Sequence, residues 1–576
     1  MSLLPGEKLH YAETHFKFKL PWSLLYRPWP EILVDAPFQF VPGVKPTLWI
    51  VVRDAHRFPT TIDSIEIEIC ENNAAGKTSG EVCGPTKVVP LGIGAKEQFA
   101  FYPVEIGDLK PGRYEIRCKI KATREIKGKK KKRIFSRWNF PGLEPAPLKI
   151  HVLAAQPPKA PGFVAGEMHC HTHYSADHVE HGASPAVFQQ AAKAIGLDFV
   201  SCTDHAYDFA YTTEDYTKEA ESPLPRFNAL REEVKALNEA LDRAENESRA
   251  EAMPLLIAGE EVSAGNAKGE NVHVTVLGPE GYLPGLGDCG RNWLDNKPTF
   301  KIEKILQMTE AHCFAAHPHQ QMGLLEKFIF RRGYWEGKDL HAASKHPIRG
   351  IQFWNGLRDE GFKLGREWWI QELGKENYVL PIGGNDAHGD LNDTTAVDLP
   401  LITLKHNRHH VFGNVRTVVK LPEPLETADR TAQIADGTAQ VANITAQLTS
   451  VETPLTRDVV QQAFAGDNCY ITEGPALWWE RVADSAEGRP EGAVAFHARS
   501  SDDFGGGFRY VKVYGRRRLL NGKLAPREEL HLASQVAARP EVDITVDFED
   551  FAYLRAECIT ATGKFALTSA AVNPRK

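Results

Sequence analysis

Beyond residue 162, short apolar runs that read as strands alternate with amphipathic stretches that read as helices, and this alternation limits the folds open to the chain more than any other feature. The runs are DFVSCT at 198, PLLIAGEEV at 254, NVHVTVLG at 271, CFAAHP at 313, IRGIQFWNG at 348 and YVLPIGGND at 378. Between them, Ser184 and Pro185 offer an N-cap and first-turn pair for SPAVFQQAAKAI, which stops at Gly196. Phe227, Leu230, Val234, Leu237 and Leu241 recur at helical spacing. Repeated strand-then-helix units predict a parallel sheet or barrel, with ligand chemistry at the carboxyl ends of its strands.

The flanks have a different texture. From about residue 33 to 153 the chain runs through PTLWIVVRD, TIDSIEIEIC, KVVPLGI, FAFYPVEI, GRYEIRCKI and APLKIHVLA, separated by Pro, Gly and Asn clusters, a pattern that predicts an antiparallel β-sandwich. The Pro-rich QPPKAPG at 156–162 marks a boundary. VAFHARS, FRYVKVYG, DITVDF and AYLRAECIT predict a second sandwich near the end. The expected organisation is therefore 1–160, 161–475 and 476–576, with an Ala/Thr/Gln-rich insertion at about 425–450 inside the middle unit. Lys127 to Arg133 forms a basic run between two strand-like stretches, read as a solvated hairpin tip.

Composition narrows the function classes. The net charge of -7 over 576 residues argues against a general nucleic-acid or anionic-membrane binder. A nuclease that guides DNA with the 127–133 run is a minor alternative. No segment approaches the ~18 uninterrupted apolar residues of a membrane span. The expectation is a soluble, cytoplasmic protein acting on a small molecule, with no membrane and no nucleic-acid partner. The nine cysteines contain no CxxC pair, which speaks against a disulfide framework or a cysteine-based zinc site.

Histidine is more telling, because 13 of the 22 lie between His169 and His388 and gather where strands end. EMHCHTHYSAD holds His169, His171 and Asp177. In a strand, residues two apart face one side, so His169 and His171 can aim at one ion while Cys170 packs. SCTDH ends an apolar strand with Asp204 and His205; LIAGEEVS ends another with Glu260 and Glu261, of which alternation turns only one inward. ENVHVTVLG supplies His273, CFAAHPH supplies His317 and His319, and IGGNDAH supplies Asp386 and His388, again two apart. Alternating nitrogen and oxygen donors at six successive strand ends suit Zn²⁺, Mn²⁺ or Fe²⁺ better than Ca²⁺ or Mg²⁺.

The series HxH, TDH, GxE, HVxxLG, AHP and GxDAH resembles the motif set of the PHP (polymerase and histidinol phosphatase) superfamily, over residues 161 to roughly 415. The resemblance implies an α/β fold, a distorted (β/α)7 barrel flanked here by N-terminal and C-terminal β-sandwiches, carrying two or three divalent metal ions. It further implies the ligands His169, His171, Asp177, His205, Glu261, His273, His317, Asp386 and His388. Glu261 rather than Glu260 fits the family's Gly-x-Glu spacing and would bridge two ions. Asp177 stands where some three-metal members place a histidine. Gly466, Tyr470, Thr472, Gly474, Pro475 and Asn573-Pro574 are similar to the segments that close the carbaryl-hydrolase-like branch, which holds both phosphoesterases and hydrolases of carboxyl or carbamate esters.

The resemblance and these ligands together imply a metal-dependent hydrolase that activates water, most readily a phosphoesterase on a small organic phosphate, although the ligands themselves would serve either ester class. A carboxyl-ester or carbamate hydrolase is the alternative, and a non-catalytic metal-containing binding module is a further one. Asp204 and His319 are the candidate proton donors to the leaving group. Lys268, Arg331, Arg332 and Arg358 are loop cations able to meet phosphate oxygens, and Asn355 in FWNG is a candidate pocket residue.

Overall fold

The computed structural model describes residues 29–573 apart from 73–81, 137–146, 176–181, 213–218, 243–252, 288–295, 324–326, 329, 390, 393–396, 400–401, 405–409, 423–453, 483–491, 520 and 535–538. Asp177 and the 425–450 insertion therefore lie outside the described residues.

The N-terminal strands form a sandwich. Glu31–Asp35, Thr47–Arg53 and Phe99–Glu105 make one antiparallel sheet, and Thr60–Glu71 with Gly112–Ile126 form the centre of a seven-stranded one. Alternation along each strand sends Ile32, Ile50, Ile65 and Ile116 into a shared core. The basic run turns at Lys127 and Gly128, both at positive φ, so it is the tip of a hairpin. Cys70 and Cys83, directly opposed on paired strands, are joined in a disulfide, a pairing that sequence spacing does not reveal.

The middle of the chain contributes β1 (Phe163–Cys170), β2 (Phe199–Cys202), β3 (Leu255–Ala258), β4 (Glu260–Gly265), β5 (Asn271–Val276), β6 (Cys313–Ala316), β7 (Gly350–Asn355) and β8 (Leu380–Gly384). These strands do not close into the expected distorted (β/α)7 barrel. They are divided between two sheets, β3-β2-β1 continued by further strands, and β4-β5-β6-β7-β8. Only β1-β2-β3 and β6-β7-β8 are parallel pairings; β5 runs antiparallel to both of its neighbours, β4 and β6. The physical reasons are local. PLLIAGEEV is two strands, because Gly259 breaks it and the Gly259 amide bonds back to Cys202 O (2.7 Å). The connection from Gly265 to Asn271 is far too short for a crossover helix, so β5 must turn back on β4. Among the described residues the protein is mainly strand, and the α/β-barrel expectation is corrected accordingly.

The first sheet runs on from β1 through β9 (Arg416–Lys420) and β10 (Cys469–Thr472) into strands from the end of the chain, β11 (Phe508–Arg517), β12 (Phe551–Thr560) and β13 (Phe565–Thr568), in the order β1-β9-β10-β13-β12-β11. A three-stranded sheet of Ala476–Arg481, Ala493–Arg499 and Glu541–Asp547 covers these last strands, burying Leu477, Phe496, Val511 and Leu554 as a second sandwich core. Helices cover the other faces. In α1 (Pro185–Ile195), Ser184 caps the amide of Val187 and Gly196 ends the helix at φ 77°, as its sequence predicts. Further helices are α2 (Leu224–Asp242), α3 (Glu360–Leu373) and α4 (Arg457–Ala465). Among the described residues no helix is long and apolar enough to cross a membrane.

Candidate metal centre

The two sheets meet at the ends of β1 and β8. The Asp386 amide donates to His169 O (2.7 Å) and the His171 amide to Ala387 O (2.8 Å), while His205 bridges Glu261. This seam places side chains from both sheets around one point. His169 Nε2 lies 3.1 Å from His171 Nε2, as the two-residue strand period predicts, whereas Cys170 turns away to Ser201 O.

Three overlapping groups result, each with its ligand atoms within 4.8 Å of one another: His169, His171, Glu261 and Asp386; Glu261, His273 and His317; and His171, His205 and His388. Eight of the nine residues named from sequence are thereby brought together, and the ninth, Asp177, is outside the described residues. Glu261 is the hub, with oxygens 2.7 Å from His273 Nδ1, 2.9 Å from His205 Nδ1, 3.0 Å from His317 Nε2 and 3.3 Å from His169 Nε2. Its neighbour Glu260 faces the other side of β4 and accepts from the Leu283 amide (3.1 Å).

Burial sets the electrostatics. It would discharge His169, but Glu261 and Asp386 outweigh it and push the ring up to about 9. Burial, with His388 and His205 close by, holds His171 well below the usual histidine value, and burial also lowers His317. Burial would raise Glu261 and Asp386, yet the surrounding imidazoles keep both carboxyls well below their usual range. His317 and Asp386 adopt φ of 27° and 54°, a conformation costing about 1–3 kcal/mol that persists where surroundings enforce it, as at ligand clamps.

The donor set fits divalent ions. His205 Nδ1 and Glu261 Oε2 are buried and close, yet neither is engaged in a hydrogen bond, so both lone pairs remain available. Imidazole nitrogens mixed with carboxylate oxygens match Zn²⁺, Mn²⁺ or Fe²⁺.

A supporting layer, of which the sequence points only to Asn355, surrounds this centre. His169 Nδ1 donates to Gln352 Oε1 (2.8 Å), Gln352 Nε2 to Asn355 Oδ1 (3.2 Å), and Asn355 Nδ2 to Asp386 Oδ2 (3.2 Å). This chain fixes the His169 tautomer with Nε2 turned inward. His410 lies 3.8 Å from Asp386, an approach that no spacing in its own segment announces. Gln352→Leu is expected to weaken metal affinity about 10- to 100-fold while leaving the fold intact, measured by competition with a chelating indicator.

The remaining candidates are scattered. Asp204 is fully buried and accepts from Thr172 N (2.8 Å), Thr172 Oγ1 (2.9 Å) and Ser175 N (3.0 Å). Ser175 Oγ in turn takes the His205 amide (2.8 Å) and lies 3.4 Å from His171 Nδ1. His319 is half-buried against Tyr334 and Trp368. Lys268 pairs with Glu336, Arg331 donates to Gly269 O, and Arg358 pairs with Glu473. Arg332 lines a cavity with His273 and His317.

No protein-family model matches the chain, and no curated protein matches it. Among solved structures, a cycloisomaltooligosaccharide glucanotransferase from Paenibacillus sp. aligns over 94% of this chain and 72% of its own at 9% identity, with a TM-score of 0.16.

Proposed function

We propose that the protein is a metal-dependent hydrolase, most readily a phosphoesterase on a small organic phosphate, of the kind the PHP motif series implies. The observation that carries the proposal is the convergence of five histidines and Asp386 around the buried Glu261. Divalent ions bound there would supply Lewis acidity, activating water near neutral pH and offsetting charge on the substrate. The chain's own residues hold the geometry: Gln352 and Asn355 orient His169 and Asp386, and Asp204, through Ser175, positions His171 and His205. Asp204 thus reads as a positioning residue, since its oxygens are taken up by Thr172 and Ser175. His319, two residues beyond His317, keeps the assignment of proton donor to the leaving group.

The test is elemental analysis of the purified protein coupled to hydrolysis of p-nitrophenyl phosphate, bis-p-nitrophenyl phosphate and p-nitrophenyl acetate, with and without added Mn²⁺ or Zn²⁺. Two or more ions per chain with phosphoester turnover is the expected result. Turnover of the acetate alone would move the assignment to carboxyl or carbamate esters, and a protein that neither binds nor responds to metal would end the proposal.

A further inference from the structure

Asn271 and His273 are two apart on β5 and so share a face. The segment that follows Phe330 is laid parallel beside Asn271: the Asn271 amide donates to Arg331 O (2.8 Å), the Gly333 amide to Asn271 O (2.9 Å), and the residue bridged to Asn271 is Arg332. Bridged residues present their side chains to the same face, so Arg332 is carried to the side on which His273 meets Glu261. The segment is built for this approach. Asn271 Nδ2 pins it through Phe330 O (2.9 Å), Arg331 bends it at φ 51°, and a Cβ at Gly333 would collide with Glu270.

Arg332, Asn271, Trp335, His273 and His317 line one narrow cavity. Trp335 Nε1 and Asn271 Oδ1, a donor and an acceptor on side chains only 3% and 1% exposed, have no hydrogen-bond partner. A guanidinium, an indole N–H and a carbonyl oxygen beside the centre match the acceptor oxygens and the single proton of a phosphate monoester monoanion.

We propose that this cavity is an anion subsite in which Arg332 receives a phosphoryl group of the substrate, an assignment that rests on the hydrolase proposal above. The probe is inorganic phosphate, titrated calorimetrically into the full-length, metal-loaded protein. Arg332→Gln is expected to weaken phosphate binding about 10- to 100-fold, with Arg332→Lys intermediate. The KM for p-nitrophenyl phosphate should rise in step, while turnover of p-nitrophenyl acetate and the metal content stay unchanged. Wild-type protein that binds no phosphate, equal losses on both substrates, loss of metal in Arg332→Gln, or unaltered phosphate affinity would each overturn the subsite. Wild-type protein that binds phosphate through Arg332 yet hydrolyses no ester would overturn the hydrolase proposal and leave the subsite standing.

Discussion

Glu261→Ala is expected to strip the protein of its metal and abolish hydrolysis, whereas Glu260→Gln, one residue earlier, should leave both nearly intact. The two carboxyls are neighbours in sequence and opposite in circumstance. Glu261 alone reaches five imidazoles drawn from both sheets, and it belongs to two of the three ligand groups. Losing it should cost more than the roughly 100-fold seen for residues that merely orient a ligand. Glu260 lies on the far face of β4, where burial raises its carboxyl well above the usual value, so a neutral amide reproduces its state and its bond to the Leu283 amide. Metal content and kcat/KM of the two variants provide the check. Full activity in Glu261→Ala would sink the site assignment.

Arg555→Met is expected to destabilise the fold by about 3–5 kcal/mol, because it strands two acids in the interior. Arg555 is 1% exposed and pairs with Glu528 and Glu557, the latter also held by Arg366 from α3. Its guanidinium also packs over Trp369 of α3 and Tyr514 of β11, so the cluster ties the helix behind β7 to the end of the chain. The pH dependence follows from the sign of the Glu557 shift. Burial would raise that carboxyl, but Arg555 and Arg366 hold it below its usual value. In the wild type it therefore contributes stability above the unfolded carboxylate pKa, lost as pH falls through the folded one. Without Arg555 burial weighs more heavily, so the gap between wild type and variant should narrow as acid neutralises the stranded Glu557. Urea midpoints at pH 7 and near pH 4 measure this; a gap that widens in acid would refute the account.

The sequence made the site far more legible than the fold. Most of the candidate ligands are announced by an apolar run that ends on His, Asp or Glu, His273 inside its strand being the exception, and strand alternation alone explains why His169 and His171 meet while Cys170 does not. Sheet membership depends on pairings between distant segments, which periodicity does not encode. One glycine, Gly259, divides PLLIAGEEV and sends its halves to different sheets. Gln352 and His410 went unnoticed for a related reason: neither belongs to a metal-ligand pattern, and each acts across contacts that only the folded chain creates.

The ordering of the first sheet has a consequence for how the protein is made. The strand carrying His169 is synthesised well before β13, yet β9 beside it pairs with β10, whose other neighbour is β13, far later in the sequence. Until then β10 presents an unsatisfied edge, available to another nascent chain. A chain cut or stalled between β10 and β13 would therefore hold every candidate ligand of the centre yet lack the partner that seals its sheet. Such a fragment should be a client for chaperones rather than a smaller self-sufficient fold.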